Sequence, residues 1–513
     1  MSRILNTSIV FTIITFISKI LGLVRDSLMA HAYGATYITD AYNIAITVPT
    51  FFYQVIGAAL MTTFIPFFKE QIHKNNKAKG YEFANEILTI MTIIMGIMVL
   101  IIAINSELVV KIMAPNFDER TLILTSHLIR LTAINMFFMT FSSISSGIVQ
   151  SFNYFFSTSL MGIMLNIPVI LYLIFSKNYD IYSLTICTGI GFALQFLTNL
   201  PYLKKINFKF KLIIDFRDEN LKKLSLTILP ILLGTGVQQF SVIIDKIMGS
   251  SLSEGTITTL EFATKINGVV YSVFATAILT TFYPKLAQLV IESKERILVQ
   301  ELTYKLKLML TILIPITSLI ILFRQDVISV LFKSGKFDLE ATISTSIILG
   351  WYVIAIPFTA IRDMCGNVFY SYKDTKTPAY NGIIAVGLNI VLNLILTPII
   401  GVAGIAISTS VSIIVSCVIL IYKLKNKLRT FNYISIIKET LKLIMAAIVM
   451  GIIVNNIASY FNNYNNKIIL IGKDILIGSI GIVIFVLVGY LIRCTVIKEV
   501  INKFINRLRL AIW

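Results

Sequence analysis

Charged residues inside stretches of this chain that are otherwise apolar include Lys19, Arg25, Asp26, Asp40, Asp245, Lys246, Glu261, Lys265, Arg362 and Asp363. A charge within a bilayer-spanning helix costs about 2.5–3.5 kcal/mol on insertion scales, so it normally faces a cavity or a partner. The deepest of these charges are mostly cationic. That sign suits phosphate or pyrophosphate oxygens, which arginine grips with a planar fork and lysine as a point charge. A cation exporter would need buried carboxylates, and Asp26 is the main departure from the cationic pattern.

Lys19 lies about 15 residues into the first apolar run, roughly 22 Å along it at about 1.5 Å per residue. It is too deep to reach the interface easily and is expected to look into a polar cavity. Lys19 and Arg25 are read as substrate-binding, with structural pairing as the alternative. Lys19 and Asp26 are seven residues apart on one helical stripe, so they could also be partners through water or a neighbouring helix. Glu261 and Lys265 stand at i and i+4 with the acid first, the favourable order for an intrahelical ion pair. Pairing and substrate contact are both open for Lys265. No catalytic constellation accompanies these charges: His31, His73 and His127 are scattered, and no G-x-S-x-G, H-E-x-x-H or P-loop spacing occurs. An enzyme is not expected, and neither is a cofactor. Cys187, Cys365, Cys417 and Cys494 lack metal-binding spacing.

The elements that must position these groups are membrane helices. The chain has 513 residues, of which 56% are hydrophobic and 14% charged, with a mean hydropathy of +0.84. Apolar windows of about 20 residues run nearly end to end, and they predict about fourteen helices: 4–32, 41–68, 83–104, 121–151, 157–176, 181–201, 224–249, 257–284, 304–323, 341–371, 378–398, 402–422, 438–456 and 469–492. The first carries polar residues and no small-residue cleavage site, so it is expected to be retained. The formal charge of +18 sits in alternate connections: Lys69 to Lys79, Lys204 to Lys223, Lys285 to Arg296, Lys373 with Lys376, Lys423 to Arg429, and Arg493 to Arg509. The intervening connections, such as Gly249 to Gly255 and Asn455 to Asn466, carry few or no positive residues. By the positive-inside rule both termini are cytoplasmic. The basic excess therefore reads as topology and not as nucleic-acid binding.

The chain repeats itself. Thr62-Thr63-Phe64-Ile65-Pro66 returns as Thr280-Thr281-Phe282-Tyr283-Pro284, and Ala45, Tyr53 and Ala59 meet Ala263, Tyr271 and Ala277 at the same offset. Fixed-offset similarity marks a duplication. It predicts an all-α polytopic protein of two pseudo-symmetric six-helix lobes, 1–205 and 206–430, followed by two additional helices and a basic tail in 431–513. Paired lobes are a common transporter design in which the substrate site lies near the midplane and is exposed to each side in turn. Prolines such as Pro49, Pro66, Pro284 and Pro357 are candidate kinks.

Several segments together resemble the MurJ (MviN) family of lipid II flippases. They are Ser18-Lys19-Ile20-Leu21-Gly22-Leu23-Val24-Arg25-Asp26, then Tyr33-Gly34-Ala35, Asp40-Ala41-Tyr42, Ala45 and Pro49; Gln150-Ser151, Phe155 and Asn166; and Phe369-Tyr370-Ser371-Tyr372-Lys373-Asp374-Thr375-Lys376-Thr377-Pro378, which follows the family's FY-x-x-x-DT-x-TP motif. The resemblance implies the fold of the multidrug/oligosaccharidyl-lipid/polysaccharide exporter superfamily, a cationic cavity, and a groove near the two extra helices for a lipid tail. It places Ser18, Lys19, Arg25, Asp40 and Lys265 at the substrate site, with Lys19 and Lys265 where the family usually has arginine. Two departures lower the cavity charge: Tyr53, Gln54 and Gly57 or Ala58 stand in a stretch that usually holds two arginines and a glutamate, and Asn367 replaces an arginine.

The implied activity is movement of lipid II, the polyprenyl-pyrophosphate peptidoglycan precursor, across the bacterial cytoplasmic membrane for cell-wall synthesis. Membrane lipids and cell-wall synthesis proteins are the implied partners. Membrane potential or an ion gradient could drive resetting, and no residue chooses an ion. Alternatives are another polyprenyl-linked polysaccharide precursor, a drug or cation antiporter, or a non-transporting scaffold.

Overall fold

The computed structural model describes residues 2–74, 76–215, 219–461 and 467–512. The expected connections Lys69–Lys79, Lys204–Lys223 and Asn455–Asn466 therefore contain positions outside the described residues: 75, 216–218 and 462–466. The described residues form helices joined by turns and loops, with no strand among them.

Two compact units divide the chain, Met1–Glu261 with Ser334–Ala341, and Phe262–Lys333 with Thr342–Trp513. The first contains α1 (Ser2–Tyr33), α2 (Tyr37–Phe52), a π-helical turn (Tyr53–Gly57), α3 (Ala58–Lys74), α4 (Lys77–Ile104), α5 (Ser106–Met113) and α6 (Glu119–Ala133). It continues with α7 (Asn135–Ser151), α8 (Phe156–Phe175), α9 (Ile181–Leu197), α10 (Leu200–Lys205) and α11 (Glu219–Ser250), and it ends inside α12 (Thr256–Tyr271). The second unit holds the rest of α12, a π-helical turn (Ser272–Thr276), α13 (Ala277–Ile291), α14 (Glu295–Leu322), α15 (Arg324–Leu331), α16 (Leu339–Ile354, from Thr342 on) and α17 (Ile356–Ser371). Then follow α18 (Lys376–Ile400), α19 (Val402–Lys427), α20 (Tyr433–Ser459), α21 (Lys467–Leu491) and α22 (Thr495–Ile512).

Among the described residues, eleven helical segments are long and apolar enough to cross a bilayer. The long helices α1, α2 with α3, and α11 stand where the first, second and seventh spans are expected, so the order is compatible with fourteen. The apolar surface faces outward: only 28% of the α20 window and 22% of the α21 window is buried within the protein. Ile437, Leu441, Ile448, Ile475 and Val483 are all at least half exposed, a continuous apolar surface that water would not tolerate and hydrocarbon would.

The duplication read from short motifs is written across the helix order. α1 and α11 each have 32 residues, α4 and α14 each have 28, and α5 and α15 each have 8. The π-helical turn occurs after α2 and again after α12, following Phe52 and Tyr271. Both long helices α6–α7 and α16–α17 break after the same kind of step, at Ile134 and Ala355. In the second case Pro357 lies at the start of α17, where its missing N–H is least costly.

Within the first unit α2 packs on α6, α1 on α8, and α3 on α4, α7 and α11. Its core holds a stack of Phe64 with Phe68 and Phe83, with ring centroids 5.2 and 6.3 Å apart. Phe64 belongs to the repeated TTF-x-P motif, so that motif is a packing signature. In the second unit α18 pairs with α19, and the appended α20 packs on α14 and α21.

Candidate transport site

Ser18 and Lys19 are neighbours on α1, but their side chains have different surroundings. A Cβ built on Gly162 of α8 would lie 2.0 Å from the Ser18 hydroxyl oxygen, so Ser18 fills the notch that this glycine leaves. Asn166, one turn on, donates to the Gly162 carbonyl at 2.7 Å and, more weakly, to the Ser18 carbonyl at 3.5 Å. Ser18 thus fastens α1 to α8, while Lys19 is half-buried with no ion pair among the described residues.

Arg25, about 9 Å further along α1 by helical rise, donates from Nε and Nη2 to Asp26 Oδ1 at 3.1 and 2.9 Å. Asp26 is 2% exposed and the Arg25 side chain 18%, so the carboxylate is sealed and the arginine beside it is mostly buried. The same dipeptide geometry recurs in the second unit, where Arg362 Nε and Nη2 donate to Asp363 Oδ1 at 3.0 and 2.9 Å. There the Tyr271 hydroxyl donates to the other Asp363 oxygen. An Arg–Asp pair in a membrane helix places a guanidinium while bringing the net charge of the pair to zero, which lowers the cost of burying it.

Asp40, expected at the substrate site, makes its hydrogen bonds to the start of α12. Its carboxylate is 3% exposed and accepts from Gly255 N–H at 2.7 Å, Thr258 N–H at 2.8 Å and the Thr258 hydroxyl at 2.7 Å. These are the free donors at the N-terminus of α12, where a carboxylate is favoured by hydrogen bonding and helix dipole alike. Asn43 donates to Thr258 Oγ1 at 3.1 Å, and Lys246 of α11 donates to Thr47 Oγ1 and to Glu261 Oε1, each at 2.5 Å. Asp40, Asn43 and Thr47 lie at i, i+3 and i+7, one stripe of α2, and bind α11 and α12 along a polar seam. Lys246, whose side chain is 6% exposed, is thereby ion-paired with Glu261.

Lys265 belongs to the second unit. Its ammonium lies 5.7 Å from the Phe262 ring centroid, and Phe262 in turn stacks on Phe332 at 4.5 Å. The paired rings form a cation–π platform beneath the half-buried lysine. The local signal for this platform in the sequence is Phe262, three residues before Lys265.

The FY-x-x-x-DT-x-TP segment is a helix connector. Lys373 takes a left-handed φ of 59°, and Asp374 accepts from Thr377 N–H at 3.0 Å and the Thr377 hydroxyl at 2.9 Å, capping the first turn of α18. Pro378 falls in that first turn, where proline is tolerated. Lys427 closes the motif at 3.5 Å from Asp374, with its ammonium 4.8 Å from the Tyr372 ring centroid and 5.4 Å from that of Phe369. Burial alone would raise the Asp374 carboxyl, but the Thr377 hydrogen bonds and the Lys427 charge hold it below the usual carboxylate range.

The second unit also contains a groove of about 650 Å³ between α14, α17, α19 and α20. Leu306, Leu310, Ile314, Phe358, Val418 and Ile444 are among its apolar walls, and Lys425 stands at its rim beside Tyr433, 4.9 Å from the ring centroid. A long hydrocarbon chain fits such a lining, and the rim cation suits an anionic group attached to it.

Long apolar helices, arginine–aspartate pairs placed in both halves of a duplicated order, and an apolar groove with a basic rim define a multi-pass membrane protein with a transporter fold. A solved structure described as an inward-facing multidrug resistance MATE family transporter of the MOP superfamily shares this fold, with a TM-score of 0.70 at 13% identity over 82% of this chain and 98% of that one. A likeness to a second solved structure, "Lipid II flippase MurJ, inward closed conformation", has a TM-score of 0.80 at 27% identity over 94% of this chain and 99% of that one. The "Probable lipid II flippase MurJ" of Rickettsia prowazekii is 26% identical over 498 residues, 95% of this chain and 97% of that protein. The family model "Lipid II flippase MurJ" matches residues 29–472. The chain belongs to the MurJ family.

Proposed function

We propose that this protein moves lipid II from the cytoplasmic to the outer leaflet of the bacterial inner membrane by alternating access, as a transporter and not an enzyme. The observation that carries the reading is the fixed guanidinium of Arg25 in a membrane helix, half-buried Lys19 about 9 Å away on the same helix by helical rise. Lys19 has no ion pair among the described residues, and the Arg25 guanidinium has donors beyond the two it gives Asp26, so a pyrophosphate carries enough oxygens to meet both. The apolar groove with Lys425 at its rim supports a substrate with a long hydrocarbon tail. Lys265 on its aromatic platform is the third proposed contact. Ser18 and Asp40 support the site through the helices they join.

The sugar and pyrophosphate are groups that hydrocarbon does not solvate, so they need a protein path while the tail remains in lipid. The repeat supports lobes at 1–205 and 206–430 with 431–513 appended, and the basic connections support cytoplasmic termini. Proteins of cell-wall synthesis are the natural neighbours of such an activity.

The test is rescue: the protein restores growth and shape when a bacterium's own lipid II flippase is depleted. Lipid II in those cells becomes cleavable by an externally added enzyme. Tyr53 and Asn367, where the family more often has arginine, favour a second reading in which the headgroup is another polyprenyl-pyrophosphate glycan. Well-inserted protein that fails this rescue but restores a polysaccharide-flippase mutant would establish that second substrate.

A further inference from the structure

The terminal helix α22 takes no part in the transport proposed above. Its sequence places apolar Val496, Ile497, Val500, Ile501, Phe504 and Ile505 at helical spacing, with Lys498, Lys503, Arg507 and Arg509 between or after them. Its one acid, Glu499, is bonded to Lys503 at 2.6 Å. An amphipathic helix with a basic polar face and modest overall hydrophobicity suits the plane of a membrane surface.

The connection that aims α22 is built with unusual care. Arg493 takes a left-handed φ of 59°, Cys494 N–H donates to the Gly489 carbonyl at 2.8 Å, and Lys442 Nζ donates to the Arg493 carbonyl at 3.0 Å. Glu439 of α20, 3% exposed, accepts from Thr495 N–H at 2.5 Å and from its hydroxyl at 2.8 Å. A Cβ on Gly489 would come 2.4 Å from Ile497 Cδ1, so the end of α21 and the start of α22 are in close contact. The helix therefore begins within four residues of the end of a spanning helix, in a direction fixed by packing and hydrogen bonds.

Its first turn is covered by protein. Val496 and Ile497 are 1% and 4% exposed, whereas Val500 on the same stripe is 54% exposed. An apolar stripe that starts in the protein core and emerges at the edge of a membrane span continues into the acyl region of the leaflet. Lys498 and Lys503 beside it are exposed, as cations at the depth of headgroups would be.

We propose that α22 is an interfacial helix that binds anionic glycerophospholipid headgroups, in the leaflet that the basic connections assign to the cytoplasm. Each cation near an anionic membrane surface strengthens association by about fivefold, and Glu439 transmits the docking of α22 to α20, a wall of the apolar groove.

The test uses the full-length protein with its four cysteines replaced by alanine and a spin label introduced by Val500→Cys or, on the opposite side of the helix, Asn502→Cys. It is placed in nanodiscs of phosphatidylcholine alone or mixed with phosphatidylglycerol. In mixed discs position 500 is relaxed by oxygen and shielded from a water-soluble nickel reagent, and position 502 shows the opposite preference. Combined Lys498→Gln, Arg507→Gln and Arg509→Gln raise nickel access at position 500 roughly tenfold or more, with an unchanged thermal midpoint. Equal nickel access at both positions in mixed discs would overturn the proposal. Shielding of position 500 from both reagents would assign the face to a protein partner, and identical protection in the two lipid mixtures would remove the headgroup selectivity. None of these readouts depends on lipid II transport.

Discussion

Arg25→Ala is the obvious test of the cationic site, and by itself it is ambiguous. Asp26 is 2% exposed and receives two hydrogen bonds from Arg25; truncating one member of a buried ion pair typically costs about 3–5 kcal/mol because the other charge stays buried. The single variant is therefore expected to lose stability and transport together. Arg25→Ala combined with Asp26→Asn replaces the stranded carboxylate by a neutral amide, and its thermal midpoint should return most of the way to that of the parent. If Arg25 also holds a pyrophosphate, the double variant still lacks a charge-assisted hydrogen bond of about 1.5–3 kcal/mol, or about 10–100-fold in binding. The assays are thermal unfolding in detergent, followed by lipid II binding and rescue in flippase-depleted cells. A double variant that binds and transports normally would refute the substrate role and leave Arg25 as the partner of Asp26.

Lys19→Ala and Lys265→Ala should abolish rescue at normal abundance, while Lys19→Arg and Lys265→Arg are tolerated; normal transport by both alanine variants would make these charges structural. Asp40→Ala leaves buried donors on Gly255 and Thr258 without their carboxylate, each a loss of about 1–3 kcal/mol, so the thermal midpoint should fall markedly. Reduced lipid binding at an unchanged midpoint would instead make Asp40 a ligand. Gly162→Ala should loosen α1 from α8, and Ser18→Ala in the same chain should recover part of the loss; strictly additive effects would show that the two positions do not meet. Asp374 has a folded pKa below its unfolded value, so its contribution is complete above the unfolded carboxylate range near pH 4 and is lost as pH falls through the folded value. Asp374→Asn should flatten the acid limb of a stability profile and leave pH 6–8 nearly level, and an unchanged acid limb would remove Asp374 as its cause.

The spanning helices, the duplication and the suspicious charges were all legible along the chain, because each rests on local physics. Hydrocarbon demands runs of apolar residues, and a charge such as Lys19 or Arg25 is conspicuous there because it is costly. The family motifs carried the rest, since Phe369 to Pro378 matches a pattern even before its role as a helix connector is known. What the local pattern could not decide was which charge meets which. Asp26 is held by its own neighbour Arg25, Glu261 by Lys246 from another helix, and Asp40 by the first turn of α12, more than 200 residues onward in the chain. Those pairings depend on helix rotation and on where a glycine such as Gly162 admits a neighbour. Side-chain spacing within one helix restricts a charge to a stripe, but only packing selects the partner that the stripe faces.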